Sequence, residues 1–90
     1  MIRLFELMQD KSYPESGKLL YGILADAINT GTNVEIDMTN VISLPSMFLN
    51  ASFGSAFAEF GKDAIKGRTK FFHIGKSQAE RLNEYFLRYQ

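Results

Sequence analysis

One stretch constrains the fold more than any other: an alternating run, a proline and a helical pattern follow one another over residues 34–60. Apolar side chains at Val34, Ile36 and Met38 alternate with acids, which predicts a strand with one buried face and one wetter face. Pro45 fixes its own φ angle and disfavours helix in the residue before it, so the next helix begins at or after this point. The sequence therefore predicts a buried middle strand that leads through a short loop into a helix.

The predicted helix begins at Ser46, whose hydroxyl is placed to accept a hydrogen bond from an unpaired amide of the first turn. Large apolar side chains then recur at helical spacing, which is typical of a face that packs on a sheet: Leu49, Phe53, Phe57 and Phe60. Small residues lie between them: Ala51, Ser52, Gly54, Ser55 and Ala58. Such a small-residue strip either packs closely inside the fold or stays free for a partner, and the sequence leaves both open.

Before this stretch the sequence predicts a strand and a helix. Residues 1–8 alternate weakly and are predicted to form an edge strand. Residues 13–17 are predicted to form a loop, after which apolar residues between Leu20 and Ile28 recur at helical spacing. A strand, a helix and a second strand in this order predict a right-handed crossover between parallel strands.

After the long helix, residues 62–67 are predicted to form one extra turn and a loop, and residues 69–74 a third strand. Ser77 and Glu80 have the spacing of a capping box, so the last helix is predicted to begin there. Residues 87–90 are predicted to fray. The predicted fold class is α/β: one small single-layer, mainly parallel sheet with three helices in the order β-α-β-α-β-α, as a single domain over residues 1–90.

Charge and composition argue against several functional classes. Ten basic and ten acidic residues give a formal net charge of zero, which disfavours a nucleic-acid binder that relies on positive charge. The absence of cysteine excludes disulfides and thiolate metal sites, and the single histidine excludes a histidine metal cluster. No apolar run approaches a membrane span and the N-terminus contains acids, so we expect a cytoplasmic protein without a cofactor, a metal or a membrane partner.

A phosphate-binding loop is one chemistry to consider, because Gly75, Lys76 and Ser77 follow a predicted strand and precede a predicted helix. Loops of this kind hold phosphate with backbone amides and a lysine. The motif requires a glycine five residues before Gly75, and that position is Lys70. The capping box accounts for the same residues, so we expect no nucleotide site there.

A hydrolytic site is a second chemistry to consider. Glu35, Asp37 and His73 could meet on neighbouring strands, and such a group would need a nucleophile beside it. Ser43 or Ser46 is the candidate by sequence order. A lone histidine on a strand is more often a partly exposed, hydrogen-bonded residue than a base, so we do not expect an enzyme.

A locally basic stretch lies in the last third of the chain: Lys62, Lys66, Arg68, Lys70 and Lys76. It is interpreted first as a solvated face, which needs no function. The alternative is contact with an acidic protein surface or with phosphates, where the charges would mainly raise the association rate. Only the second interpretation predicts an association rate that falls as the salt concentration rises.

The central stretch resembles the STAS-like domains, relatives of the bacterial anti-sigma-factor antagonists. The resemblance extends over roughly residues 14 to 87 and is carried by Glu35-Ile36-Asp37, two polar residues, Val41-Ile42, and Ser46-Met47-Phe48-Leu49-Asn50 opening a helix with Phe53-Gly54. In antagonists of that type, a partner kinase phosphorylates a serine or threonine at the start of the second helix. The loop and this helix are the docking face for the kinase or for an anti-sigma factor.

Residue by residue, the resemblance implies that Asp37 is the acid ending the strand, Ser46 the phosphorylated position and Phe48 the aromatic anchor of the helix. A plain helix cap for Ser46 and a turn cap for Asp37 remain alternatives. The implied partner is a histidine-kinase-like ATPase or an anti-sigma factor. The predicted partner-binding residues are Asp37, Asn40, Ser43, Pro45, Ser46, Met47 and Asn50.

The function predicted from these observations is a non-enzymatic regulatory module that binds a partner protein and is switched at Ser46. One alternative is a self-associating structural module, a homodimer that uses the edge strand of residues 1–8 or the small-residue strip. A weaker alternative is a site for a small anion or nucleotide at the start of the second helix.

Overall fold

The computed structural model describes residues 1–89 and contains one parallel sheet. Its strands are β1 (Ile2–Arg3), β2 (Val34–Asp37) and β3 (Thr69–Phe72), in the spatial order β1-β2-β3. In register, Ile2 and Phe71 flank Ile36 on the two sides of the middle strand. The predicted α/β class, the buried middle strand and the parallel pairing are therefore confirmed.

The described residues form more helical segments than the three that the sequence predicts. They are α1 (Leu4–Met8), α2 (Tyr13–Thr30), α3 (Ser46–Leu49), a π-helical turn (Asn50–Gly54), α4 (Ser55–Phe60), α5 (Lys62–Arg68) and α6 (Lys76–Arg88). No helix among residues 1–89 combines the length and the apolarity needed to cross a bilayer. The order β-α-β-α-β-α holds only if adjoining helical segments are counted together.

One face of the sheet carries the core. Val34, Ile36 and Met38 are buried together with the apolar sides of the helices, and Ile36 is 0% exposed. Glu35 points to the other face, where it is exposed and lies in register with Lys70. A single layer of helices on one face explains the strict alternation of β2, because only one set of its side chains leaves water.

The prediction of an edge strand over residues 1–8 is wrong beyond Arg3. The chain turns into α1 at Leu4, which is 1% exposed. Leu4, Leu7 and Met8 have the spacing i, i+3, i+4, so a helix places all three against the core, whereas a strand would divide them between two faces. Burial of this apolar set therefore decides against the strand.

The first long helix, α2, begins earlier than predicted. Residues 13–17 form its first turn and not a loop, because Ser12 Oγ accepts a hydrogen bond from the amide of Glu15 at 3.2 Å and Pro14 occupies a first-turn position. The helix ends at Gly31, whose φ of 71° is the left-handed conformation that a glycine C-cap supplies. Its apolar face is buried, as the periodicity predicts.

The helix predicted over residues 46–60 is present as α3, the π turn and α4 without interruption. Leu49, Phe53 and Phe57 are buried in the core, and Phe60 is half-buried. Serine hydroxyls bond back to the main chain here: Ser52 Oγ donates to Phe48 O at 2.8 Å. Bonds of this kind loosen or bend a helix, which suits the single wide turn at this point.

The small-residue strip lies mostly inside the fold. A Cβ atom placed on Gly17 of α2 would lie 2.6 Å from Ala51 Cβ and 2.9 Å from Phe48 O, so the two backbones cross in close contact. Ser52 is fully buried beside this crossing, whereas Ser55 and Ala58 are exposed. The buried part of the strip is used by this crossing, so only its exposed members are accessible to another chain, and self-association stays a prediction.

The C-terminal third needs four corrections. Residues 62–68 form the two-turn helix α5, and β3 ends at Phe72 because His73 has a φ of 54°. The last helix begins after Gly75, whose amide donates to Gln78 Oε1 at 2.7 Å, so the predicted Ser77 and Glu80 capping box is wrong. The end of α6 is held down as far as Tyr89, because Tyr89 packs on Phe57 with ring centroids 5.3 Å apart. Gln90 lies outside the described residues.

Candidate functional site

The candidate site is the loop of residues 38–45 between β2 and α3 together with the first two residues of α3, and residues 38–47 are here called the loop surface. It lies at the carboxyl end of the middle strand, the place where open α/β sheets bind ligands and partners. The start of α6 borders it, since Gln78 Nε2 donates to Val41 O. The loop after β2 and the segment after β3 therefore meet at this end of the sheet.

Asp37 anchors the loop where it leaves β2. Its Oδ1 accepts hydrogen bonds from Thr39 Oγ1 at 2.6 Å and from Thr39 N at 2.9 Å, and His73 Nδ1 lies 3.1 Å away. The hydroxyl of Thr39, then its amide, and then His73 lower the pKa of Asp37 to about 2. The turn-capping interpretation of Asp37 accounts for these contacts, and its carboxylate stays charged at neutral pH.

A tight turn follows. Val41 N donates to Met38 O at 3.1 Å, and Asn40 between them has a φ of 67°. Asparagine tolerates the left-handed conformation better than most residues with a side chain. The turn exposes Asn40 and directs the next residues over the carboxyl end of the sheet.

Arg81 on α6 fixes the second half of the loop. Its Nε donates to Leu44 O at 3.1 Å and its Nη2 donates to Ser46 Oγ at 3.2 Å. One guanidinium thus holds both the chain before Pro45 and the hydroxyl after it. The sequence gives no signal for this contact, because Arg81 lies 35 residues from Ser46.

Ser46 is exposed but is not the N-cap, so that prediction is wrong. Pro45 occupies the cap position, and Pro45 O accepts the first helical hydrogen bond from Leu49 N at 3.0 Å. Proline satisfies this role through its carbonyl, since a cap residue has extended backbone and needs no amide of its own. The hydroxyl of Ser46 is therefore not occupied by the helix end and is turned toward Arg81.

Large apolar side chains are exposed on and beside the loop surface. Ile42 is 94% exposed and Met47 is 59% exposed. Phe5 and Tyr13 are also exposed, and they line a cavity of about 340 Å³ together with Ile42. Single exposed apolar residues are ordinary, but a cluster around a loop marks a candidate interaction site.

Most of the predicted partner-binding residues are accessible. Asn40, Ser43, Ser46, Met47 and Asn50 are exposed, while Asp37 and Pro45 are half-buried. The side-chain oxygen of Asn50 already has a partner within the fold, because Asn50 Oδ1 accepts a hydrogen bond from Tyr85 OH at 2.7 Å. Sequence reasoning missed Phe5, Tyr13 and Ile42, since a short apolar run such as Val41-Ile42 does not reveal which of its members faces water.

The groups considered for hydrolysis come together only in part. Asp37 contacts His73, but Glu35 lies in register with Lys70 on the outer face. Ser46 is hydrogen-bonded to Arg81 and not to His73. Within residues 1–89, no three histidine, aspartate or glutamate side chains are grouped as metal ligands would be.

The comparison with protein families matches residues 16–79 to the family described as STAS-like domain of unknown function (DUF4325). The matched region begins inside α2, includes the whole loop surface and ends in the first turn of α6. No curated protein and no solved structure matches the chain significantly. The match spans well over half of the chain and agrees with the resemblance of its central strand, loop and helix, so the chain belongs to the family of STAS-like domains.

Proposed function

We propose that this STAS-like domain is a non-enzymatic interaction module that binds a partner protein through the loop surface. The observation that carries the proposal is the 94% exposure of Ile42 in the middle of a loop that is otherwise well fixed. Burial of an apolar side chain of this size lowers the free energy by about 1.5–3 kcal/mol relative to exposure, and a partner that covers Ile42 would gain this in binding free energy. Partners of the histidine-kinase-like ATPase or anti-sigma-factor class fit the family.

The rigidity of the loop supports this role. Asp37, Gln78 and Arg81 hold its two halves by hydrogen bonds. A preordered loop loses little conformational entropy on binding, so more of the contact energy remains as affinity. Apolar anchors that project from a fixed backbone are the usual centre of a protein interface.

Ser46 is proposed as a regulated position within the same surface. Phosphorylation would place a dianion about one hydrogen bond from the guanidinium of Arg81, where charge-assisted bonds are strong. Arg81 Nε of the same guanidinium donates to Leu44 O and holds the loop before Pro45, so a movement of Arg81 toward the phosphate would also move the loop. Modification would therefore alter both the charge and the order of the docking surface.

Photo-crosslinking tests the docking proposal. Ile42 is replaced by p-benzoylphenylalanine in the chain expressed in its cells of origin, and Leu19, an exposed residue on α2, carries the same group as a matched control. We expect a dominant protein adduct from position 42 that is absent from position 19. The same adducts from both positions, or none from position 42, would contradict a docking role.

The yield of that adduct then tests the switch. Ser46→Asp should change it strongly, whereas Ser43→Asp, which adds the same charge on the same loop at a hydroxyl that makes no hydrogen bond with Arg81, should change it less. Mass spectrometry of the purified chain would give the modification state of Ser46. Equal effects of the two substitutions, with Ser46 unmodified under all conditions, would remove phosphorylation from the proposal and leave docking intact.

A further inference from the structure

A second surface lies at the opposite edge of the sheet from β1, where β3 is the last strand. Within the described part of the chain, β3 pairs only with β2. Phe72 O accepts from Met38 N at 2.9 Å, so the backbone of Phe72 faces β2. Backbone direction alternates along a strand, so the N–H and C=O of Phe71 face the free edge and can pair with another chain.

An apolar pocket of about 230 Å³ lies directly beside this edge. Apolar side chains from three helical segments, the π turn and β3 line it: Phe53, Phe57, Ile65, Phe71 and Phe86. An apolar cavity of about 150 Å³ is enough to hold a benzene molecule, so this pocket has room for one large apolar side chain. We name this combination of edge and pocket the β3 groove.

The position of the pocket relative to the strand indicates what fits there. Thr69 and Phe71 are alternate residues on the core face of β3, and both line the pocket. A strand added beside β3 would lie about 4.8 Å away and would point every second side chain to the same face. Those side chains would enter the pocket, between Lys66 of α5 and Asn83 of α6.

The charges around the groove indicate the chemistry of the added strand. Residues 62–70 contain four basic residues and one acid, while the whole chain is neutral. Lys62 and Arg68 donate to backbone carbonyls, which carry no net charge, and Lys66 Nζ lies 5.9 Å from the ring centroid of Phe86. The ion pairs described for residues 1–89 all lie outside this segment, so it keeps a net positive charge, although Glu35 lies in register with Lys70 on the outer face.

We infer that the β3 groove binds an extended, acidic segment of a partner protein, which adds as a strand to β3 and places one large apolar side chain in the pocket. Main-chain hydrogen bonds to Phe71 would give affinity, and the pocket would give specificity, as in other cases of strand addition. The same charges disfavour a second copy of this chain, because pairing β3 with β3 would bring Lys66 and Lys70 close to their own counterparts. The groove shares no residue with the loop surface.

Selection from a library of short random peptides, with the full chain as bait, tests this inference. We expect enriched peptides to alternate, to carry acids and to keep one large apolar residue. On binding, the Phe71 amide should shift in the NMR spectrum and exchange more slowly, while the Ser46 amide should not. Enriched peptides without an apolar residue, no enrichment, or an unchanged Phe71 amide would overturn the inference.

Two substitutions and a matched control sharpen the test. Asn83→Leu fills the pocket mouth from an exposed helix position and should weaken peptide binding about tenfold or more, without loss of thermal stability. Lys66→Glu should weaken binding about two- to fivefold, the range of an exposed ion pair, and Lys18→Glu on α2 should leave it unchanged. Equal binding by all three variants would contradict the groove. A dimer in sedimentation that Asn83→Leu dissociates would replace the acidic partner by a second copy.

Discussion

Two regions of this protein differ in opposite ways from the usual pattern, in which large apolar residues are buried and small or polar ones are exposed. At the crossing of α2 with α3 and the π turn, the small residues Gly17 and Ser52 are buried and Ala51 is half-buried. On the loop surface, Ile42 and Met47 are exposed although they are large and apolar. In these two regions, the position of the backbone decides which side chains are buried, and the hydrophobicity of the single residue does not.

The difference also separates stability from interaction. Substitutions in the packed crossing should change the free energy of unfolding and leave the loop intact. Substitutions of the exposed side chains on the loop surface should leave the free energy of unfolding almost unchanged and affect partner binding, whereas Met38, Val41 and Leu44 of the same loop belong to the core. Paired substitutions in different parts of the fold test this separation.

The largest effect is expected when a large apolar residue is truncated in the core but not on the loop. Phe53→Ala should lower the free energy of unfolding by about 3–5 kcal/mol, because it leaves a cavity among packed rings. Ile42→Ala should change it by less than about 0.5 kcal/mol. Chemical denaturation measures both, and similar losses for the two would show that Ile42 is packed in the core and is not free for a partner.

The next effect tests the close crossing. Gly17→Ala should destabilise by about 1–3 kcal/mol, since the added methyl meets Ala51 Cβ and the carbonyl of Phe48. Gly22→Ala in the same helix has open space and should stabilise by about 0.5–1 kcal/mol through helix propensity. Thermal unfolding of the pair measures the difference, and a stabilised Gly17→Ala variant would mean that the helices separate easily.

A smaller effect distinguishes the two serines near helix starts. Ser12→Ala should cost about 1 kcal/mol, because Ser12 Oγ caps α2 through the amide of Glu15. Ser46→Ala loses only a contact with Arg81 at the surface and should cost less than about 0.5 kcal/mol. Equal costs in urea denaturation would restore a capping role for Ser46.

The smallest effect concerns Asp37 and its dependence on pH. Its folded-state pKa of about 2 lies below the ordinary value of 3.8, so the ionised carboxylate stabilises the fold above about pH 4. The stability advantage of the natural chain over Asp37→Asn should therefore be full at neutral pH and disappear as the pH falls from 4 to 2.

Thr39→Val provides the control for this effect, because it removes the hydroxyl that contributes most to the lowered pKa. NMR titration of the Asp37 carboxyl should give a higher pKa in Thr39→Val than in the natural chain. An unchanged value would assign the shift to another group, and a constant difference between the natural chain and Asp37→Asn over the whole range would contradict the hydrogen-bonded carboxylate.

Much of the architecture was predictable because it depends on local patterns. The alternation over residues 34–38 and the proline at 45 predicted the middle strand and the helix after it, and both are present. The edge strand of residues 1–8 was predicted wrongly because a weak period of two and a helical spacing coexist there. Burial of Leu4 against the sheet resolves that ambiguity, and a local pattern cannot express it.

The place of the candidate site was predicted from the sequence, because open sheets bind partners at the carboxyl end of a middle strand, and its binding role stays a prediction. The contacts of Arg81 and Gln78, and the exposure of Ile42, were missed because they depend on how α6 packs over the loop. For the same reason the β3 groove has no signature beyond a basic stretch.

Local sequence patterns set the α/β class, the buried face of the middle strand and the place where the chain turns from sheet to helix. These follow from side-chain periodicity and from the fixed φ of proline, which act over a few residues. Only the tertiary structure decided that Gly17 meets Ala51, that Arg81 meets Ser46 and that a pocket remains open beside β3. These contacts join residues more than 30 positions apart in the first two cases, and distant pairs are set by packing of the whole core.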